Sequence, residues 1–366
     1  MMRSVAFATV VLSGAVSPSV PPPLGYTVAA ALGPRSTSAP PLSRSDSLEI
    51  SATLATALGD ARPAPLRTEE WVTVRRLYRW MSTSRAVTPL WLDGDRLAPR
   101  ATALAAALDS VEKLGLRPAD YRVAALSAAL RAASRPPSNA NAATLAHTDL
   151  LLTSSFVSLV DDLLTGRVDP RNVEPTWHIT PRAFDVGARI TAAFDSVRAG
   201  QSIRDVLGGL RPDYGSYGAL IQALARYRAF EQGGGWLVQP NDPVPRAGGA
   251  GSVVPALRRR LAAEGYLASA SGSDTLDAVV TGAVVEFQRR HGLVVDSLIG
   301  PRTRAALNVS ASHRVRQIEA NLERLRWLPP NPGNRFVVVN VPAFVLYAFD
   351  GTRRALTMRV DSAPPV

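Results

Sequence analysis

The chain of 366 residues contains no cysteine. Disulfides, thiolate zinc sites and a cysteine nucleophile are thereby excluded from it. Lysine is nearly missing too: Lys113 is the one lysine among 41 basic residues, so guanidinium groups carry the positive charge. Aromatic residues make up only 6%, which favours cores of alanine and leucine packed between helices. Histidine occurs four times, at His147, His178, His291 and His313. These are scattered, and neither a metal-ligand set nor a cofactor motif is read. The apolar stretch from Ser4 to Val16 is too short to cross a membrane, and no transmembrane segment is expected beyond a signal-like leader.

Against these absences stand a hydrophobic content of 46% and a net charge of +11. Such a surplus draws anionic polymers in general, whether nucleic acid, anionic lipid or cell-wall glycan. The arginines are spread along the chain with no dense basic tail. A nucleic-acid footprint is therefore weak, and no nucleic acid is expected as partner.

The length suits two or three domains. Residues 1–67 read as a leader, with Arg3 ahead of the apolar stretch, and a Ser-, Pro- and Ala-rich linker. The linker is expected to be mostly disordered, with a short helix near Leu48–Leu58. Residues 68–236 carry helical spacing: Trp71, Val74, Tyr78 and Met81; then Leu104, Ala107, Leu108 and Val111 after Pro99. Leu145, Leu152, Phe156, Leu159 and Leu163 follow, closed by Gly166. Val186, Ile190, Ala193, Phe194 and Val197 come next. The last set is Tyr217, Leu220, Ile221, Leu224 and Tyr227, closed by Gly233–Gly235. An all-α domain is predicted.

Three constellations in this region read as structural. Asp161 and Asp162 are adjacent on a helix, so their carboxylates point about 100° apart and do not converge for acid–base work. They suit solvated or ion-paired positions. His178 beside Trp177 has no neighbouring carboxylate and suits a structural or surface role. Tyr227 with its flanking arginines suits core plus snorkelling cations.

Residues 244–309 form a unit of their own, predicted as three helices. The first is VPALRRRLAAEGYL (Val254–Leu267), with Leu257 and Leu261 inward. The second carries Leu276, Val279, Val280, Ala283, Val284 and Phe287, one continuous apolar face. Gly292 stops it, LVVDSLIGP forms a loop, and Pro301 opens the third helix. Residues 310–334 are predicted as a connecting helix with a Val315, Ile318, Leu322 and Leu325 seam. Residues 335–366 are β-rich, with Asp350-Gly351 as a turn signal. Two or three such strands, apolar on both faces, do not bury themselves and leave open edges. The fold class is thus mainly α: a helical domain, a small three-helix bundle, and the start of a β-sheet.

The stretch VVEFQRRHGLVVDSLIGPRTRAALN resembles the peptidoglycan-binding module of cell-wall hydrolases and transpeptidases, through Phe287, Gln288, Gly292, Leu293, Asp296, Gly300, Pro301, Thr303, Ala306 and Leu307. Ser297 stands where that family has glycine, and RAGGAG (Arg246–Gly251) lacks the acidic residue common before the first helix. RQIEANLERLRWLP with the following strands, and LTGRVDPRNVEPTWHI upstream, resemble the large periplasmic L,D-transpeptidases that bear this module.

The resemblance implies a protein of the periplasm or cell envelope whose partner is peptidoglycan, through its glycan strands or stem peptides. Within the module, Tyr266, Gln288, Arg289, Asp296 and Arg302 are the polar positions near loops and helix ends where such a ligand would meet donors. Gln288 and Asp296 equally suit a cap and a loop tie. The family's nucleophile is a cysteine activated by histidine, in a Ser-x-Gly-Cys segment beyond strands of this kind. With no cysteine in the chain, no catalytic residue carries over. The expectation is a truncated, inactive wall-binding portion. The other readings are a stand-alone non-catalytic peptidoglycan-binding protein and, more remotely, a basic helical nucleic-acid binder.

Overall fold

The computed structural model describes residues 6–10, 44–60, 62, 66–82, 86–94, 96–134, 142–175, 177, 185–240, 242–328, 334–340, 345–351 and 353–360. Among them are thirteen α-helices and six short strands, so the chain is mainly α. It divides into two compact units.

The first unit is helical. It contains α1 (Arg44–Gly59), α2 (Thr68–Met81), α3 (Pro99–Asp109), α4 (Val123–Ala133), α5 (Ala142–Thr165), α6 (Pro170–Val173), α7 (Val186–Arg198) and α8 (Ile203–Gly209). α5 is its axis, packed by α1, α2, α3, α4 and α7. By length and composition α5 could cross a membrane, yet most of it is buried inside the unit. Around it Trp91, Phe156 and Phe194 meet edge to face, with centroids 5.4–5.9 Å apart, the geometry the ring quadrupole favours. Gly166, at φ +83°, ends α5 in the left-handed conformation that a side chain would strain.

Polar side chains on α5 are used rather than wasted. Asp149 accepts from the Tyr78 hydroxyl at 2.5 Å and from the backbone N–H groups of Leu90 and Trp91 at 3.1 and 2.7 Å. One buried carboxylate thus ties α2 and the 90–91 turn to α5. Asp161 and Asp162 both pair with Arg67, at 2.7 and 3.0 Å, and Glu70 shares that guanidinium at 2.9 Å. Burial lowers the acidity range available to Arg67, but the three carboxylates outweigh it and hold its pKa above the ordinary value. The Asp-Asp pair is therefore an ion-paired anchor.

One expectation changes here. The linker within residues 1–67 is expected to be mostly disordered with a short helix near Leu48–Leu58; a helix is there and is longer, Arg44–Gly59, sixteen residues. Ile50 and Leu54 are buried in the first unit's core, because their i, i+4 spacing places them on one face.

The second unit begins with β1 (Ala6–Val10) and contains α9 (Gly215–Gln232), α10 (Val254–Ala263), α11 (Ala278–Arg290), α12 (Pro301–Leu307), α13 (Ala311–Trp327), β4 (Arg335–Asn340), β5 (Val345–Asp350) and β6 (Arg353–Arg359). The tiny hairpin of β2 (Leu92–Asp93) and β3 (Arg96–Leu97) lies in the first unit. α9, expected at the end of the 68–236 helical domain, packs on α13. Tyr217, Leu224 and Tyr227 meet Val315, Ile318, Leu322 and Leu325 in one cluster, and Arg228 pairs with Glu319 at 2.6 Å. The two apolar seams are complementary, and neither could stay in water.

The sheet has the order β1-β4-β5-β6. β4 and β5 are antiparallel, as are β5 and β6, while β1 runs parallel to β4. The apolar N-terminal stretch, expected as leader, thus supplies a strand at Ala6–Val10. Phe336 and Phe349 stack across β4 and β5 with centroids 4.7 Å apart. β6 is exposed along its length.

Candidate functional site

The site of interest is the α10–α12 bundle. Its core is Val253, Val254, Leu257, Leu261, Leu276, Val280, Ala283, Val284, Phe287 and Leu307. Val279 was counted on the apolar face of α11 but is 68% exposed. Asp277 caps this helix by accepting from the Val280 N–H at 2.9 Å, which fixes the first turn so that Val280, not Val279, points inward. Asp277 also pairs with the buried Arg258 at 2.5 Å, and Arg258 donates to the carbonyls of Ser273 and Thr275.

The RAGGAG segment folds back on the loop before α11. Gly248 and Leu276, Leu276 and Gly249, and Gly251 and Asp274 exchange backbone bonds of 2.8–2.9 Å. A Cβ on Gly249 or Gly251 would sit 3.0–3.1 Å from Pro245 or the Arg246 backbone. The close approach explains the small residues there.

Gln288 organises the loop between α11 and α12. Its side chain is fully buried. Its Nε2 donates to Asp296 Oδ1 at 2.8 Å, the Leu298 carbonyl at 2.8 Å and Thr303 Oγ1 at 3.2 Å. Its Oε1 accepts the N–H groups of Asp296 and Ser297 at 3.2 and 3.0 Å. Both ends of this amide are committed inside the protein, so a ligand meets the loop it holds rather than Gln288 itself. Asp296 Oδ1 also accepts from the Leu298 N–H at 2.8 Å. This bond first, and then Gln288, keep the carboxyl below the usual carboxylate range. Ser297 sits at φ +62°, the left-handed region where the family glycine would rest without strain.

The loop so held presents an exposed rim. Val294, Val295 and Leu298 are 70%, 45% and 60% exposed. Asp296 and Arg302 are exposed beside them, Arg302 next to the Thr303 that Gln288 touches. Arg289 is exposed and paired with Glu286. The structure thus joins Gln288, Asp296 and the start of α12. It places Tyr266 elsewhere, against Phe287 at 5.4 Å and His291 at 6.2 Å between centroids, under the Arg290 guanidinium at 5.5 Å.

Sequence reasoning missed a buried ionic cluster beneath this second group. Arg260 and Glu264 pair at 2.6 Å, with side chains 0% and 2% exposed. The Tyr227 hydroxyl donates to Glu264 at 2.7 Å, and Arg260 donates to the Leu307 carbonyl at 2.7 Å. The Arg260 guanidinium lies over the Trp236 ring, and Trp236 donates to the Val309 carbonyl. Arg314 of α13 donates to the Ala306 carbonyl of α12 at 3.4 Å, so the bundle is fastened to both α9 and α13. The i, i+4 Arg/Glu spacing at the end of α10 was the available signal. Burial lowers the Arg260 pKa against the opposing pull of Glu264. Burial first and Glu264 second push the Tyr227 and Tyr266 phenols above their ordinary range. His178 lies outside the described residues.

These groups can bind by hydrogen bonds, charge and apolar contact, and none is arranged as a nucleophile with a base. Two family models match the chain. One describes a scaffold domain and matches residues 73–224. The other describes a peptidoglycan binding domain and matches residues 250–307, which spans α10 to α12. No curated protein matches the chain. The second match supports a peptidoglycan-binding role for the bundle and, with it, a place in the cell envelope.

Proposed function

We propose that this polypeptide is the wall-binding portion of an L,D-transpeptidase that cross-links or remodels peptidoglycan in the periplasm. The observation that carries the reading is the succession, in one chain, of a scaffold match at residues 73–224 and a peptidoglycan-binding match at 250–307. The β-strands from Arg335 to Arg359 are compatible with the opening of a catalytic sheet behind the connecting helix. On this reading the domains are a leader and linker at 1–67, a scaffold at 68–236, the binding module at 244–309, the connecting helix at 310–334 and the catalytic start at 335–366.

In the module, Asp296, Arg302, Arg289 and the Val294–Leu298 rim face the polymer, and Gln288 keeps their loop in place. Carboxylate and guanidinium groups suit the charged ends of stem peptides, and the valine and leucine side chains suit the methyl groups of their alanines. This 366-residue polypeptide has no cysteine, so it does not itself supply the family's thiolate.

Co-sedimentation of the full chain with purified sacculi, alongside an acyl-exchange assay on tetrapeptide stems, tests both parts. Binding without turnover is expected. A chain that stays in the supernatant would overturn the wall-binding part, and turnover would overturn the assignment of chemistry elsewhere.

A further inference from the structure

The solvent face of α2 carries a pattern that its packing does not use. At about 100° per residue, Val72, Arg75, Arg76, Arg79 and Trp80 share one side of the helix, and each of them is exposed. Trp80 is 50% exposed, whereas every other tryptophan of the chain is buried or half-buried. A large ring left half in water forgoes the burial that makes aromatic side chains stabilising. Glu69 and Glu70 occupy the first turn of α2 and the arginines its second half. Positive charge therefore gathers at the end where Trp80 stands.

Most of these cations are not neutralised. Arg76 reaches Asp185 at 3.4 Å. Arg75 and Arg79 have no carboxylate partner among the described residues. Arg75 lies over the Trp71 ring, 5.7 Å from its centroid, which steadies its guanidinium along the helix. Arg198, the last residue of α7, is exposed and likewise without a carboxylate partner among the described residues. It donates to Met81 Sδ at 3.1 Å, which brings a further guanidinium to the Trp80 end of α2. An exposed ring among unpaired guanidinium groups fits an anionic polymer that offers flat ring faces as well as carboxylates. A bilayer is less suited. Val72 and Trp80 stand about 12 Å apart along the axis with Arg76 between them, so no continuous apolar face is available to enter lipid. A phosphate backbone is less suited too, because Glu69 and Asp185 interrupt the basic row.

We propose that this face of α2, with Arg198 of α7, is a second peptidoglycan-binding surface: Trp80 stacks on a sugar ring of the glycan strand, and Arg75, Arg79 and Arg198 meet free carboxylates of its stem peptides. The inference rests on the wall-binding reading and deepens it. It gives the helical unit matched at residues 73–224 a share in binding, in addition to the bundle matched at 250–307. Stacking supplies contact with any sugar face, and the guanidinium groups select for charge, so the surface recognises the polymer rather than one peptide sequence.

The test measures retention of the full chain at physiological salt on native sacculi and on sacculi whose free carboxylates have been amidated. Vesicles of phosphatidylglycerol with phosphatidylcholine, and single-stranded DNA, are run beside them. Wild type is compared with Trp80→Ala, Trp80→Tyr, the double variant Arg75→Gln/Arg79→Gln and, as a control of equal charge change, Arg131→Gln/Arg171→Gln on α4 and α6. All these side chains are exposed, so the variants should fold. The Arg75/Arg79 double variant should lower retention on native sacculi about tenfold, and Trp80→Ala should lower it by a similar factor. Trp80→Tyr, which keeps a ring, should recover most of that loss, and the control should match wild type. On amidated sacculi the Arg75/Arg79 variant should no longer differ from wild type, while Trp80→Ala should still bind less. Retention unchanged by both Trp80→Ala and the Arg75/Arg79 variant would overturn this surface and leave the wall-binding reading standing. An equal loss for the control, or Trp80-dependent binding that is stronger to the vesicles or the DNA than to sacculi, would overturn it as well. Absence of wild-type retention on sacculi would instead overturn the wall-binding reading, and this surface with it.

Discussion

The Arg260 guanidinium lies 3.8 Å from the centroid of the Trp236 ring. A cation stacked this closely, on a ring that lies ahead of the α10–α12 bundle in the chain, makes the bundle part of a larger body with α9 and α13. It is not a bead on a flexible tether. The consequence is directional: the bundle, with its α11–α12 loop, is held in a fixed orientation to the rest of the second unit.

The pair Arg260–Glu264 should behave as a buried ion pair. Removing one partner strands the other without solvent, at about 3–5 kcal/mol. Glu264→Leu should therefore destabilise the full chain strongly, since it also orphans the Tyr227 hydroxyl. The double variant Arg260→Met/Glu264→Leu should recover a large part of the loss. Urea denaturation of wild type, Arg260→Met, Glu264→Leu and the double variant gives the coupling energy directly, and a double variant no better than Glu264→Leu would refute the pairing.

At the α11–α12 loop, two substitutions should act in opposite directions. Ser297→Gly removes the left-handed strain at φ +62° and should stabilise by roughly 0.5–1 kcal/mol. Gln288→Ala strips the donors and acceptor that hold Asp296, Ser297 and Leu298, and should cost about 2–3 kcal/mol. It should also weaken sacculus binding even though Gln288 lies out of a ligand's reach. A variant that binds normally after losing this amide would show that the loop does not contact the polymer.

His291 gives the second unit an acid sensitivity. Burial, with Arg314 and Arg260 opposing protonation, lowers its pKa from the ordinary 6.5 to about 4. The unfolded chain therefore takes up the proton first as pH falls. Stability from the neutral ring is fully present above about pH 6.5 and is lost as pH falls toward 4, on the order of 3 kcal/mol. His291→Asn keeps a donor for the Phe287 carbonyl and should lack this slope. Parallel stability curves for the two proteins across that range would count against it.

The sequence made the helical character and the module legible for a physical reason. Apolar spacing on α2, α5, α7 and α11 leaves one orientation that removes those faces from water. Gln288 and Asp296 could be placed on one loop through the motif that spans them, and their possible role as a tie could be named. Their mutual geometry could not, because a side-chain amide with five contacts has no signature in spacing. Val279 and Val280 are adjacent and equally apolar, and only the Asp277 cap decides which one turns inward. Arg260 over Trp236, and α9 against α13, depend on contacts across long stretches of chain that no local period encodes. A helix near Leu48–Leu58 was legible, but the Ser- and Ala-rich composition around it did not show that Ile50 and Leu54 pack into the first unit's core.

The most direct measurement is competitive partitioning of the full chain between purified sacculi and double-stranded DNA at physiological salt. Both are anionic polymers and DNA is the more densely charged, so bulk charge alone favours the DNA, and salt weakens a purely electrostatic contact steeply. Recovery of the chain with the sacculi, reduced by Gln288→Ala, is the expected result. Recovery with the DNA, or with the sacculi equally for wild type and Gln288→Ala, would contradict a peptidoglycan-binding role carried by the α10–α12 bundle.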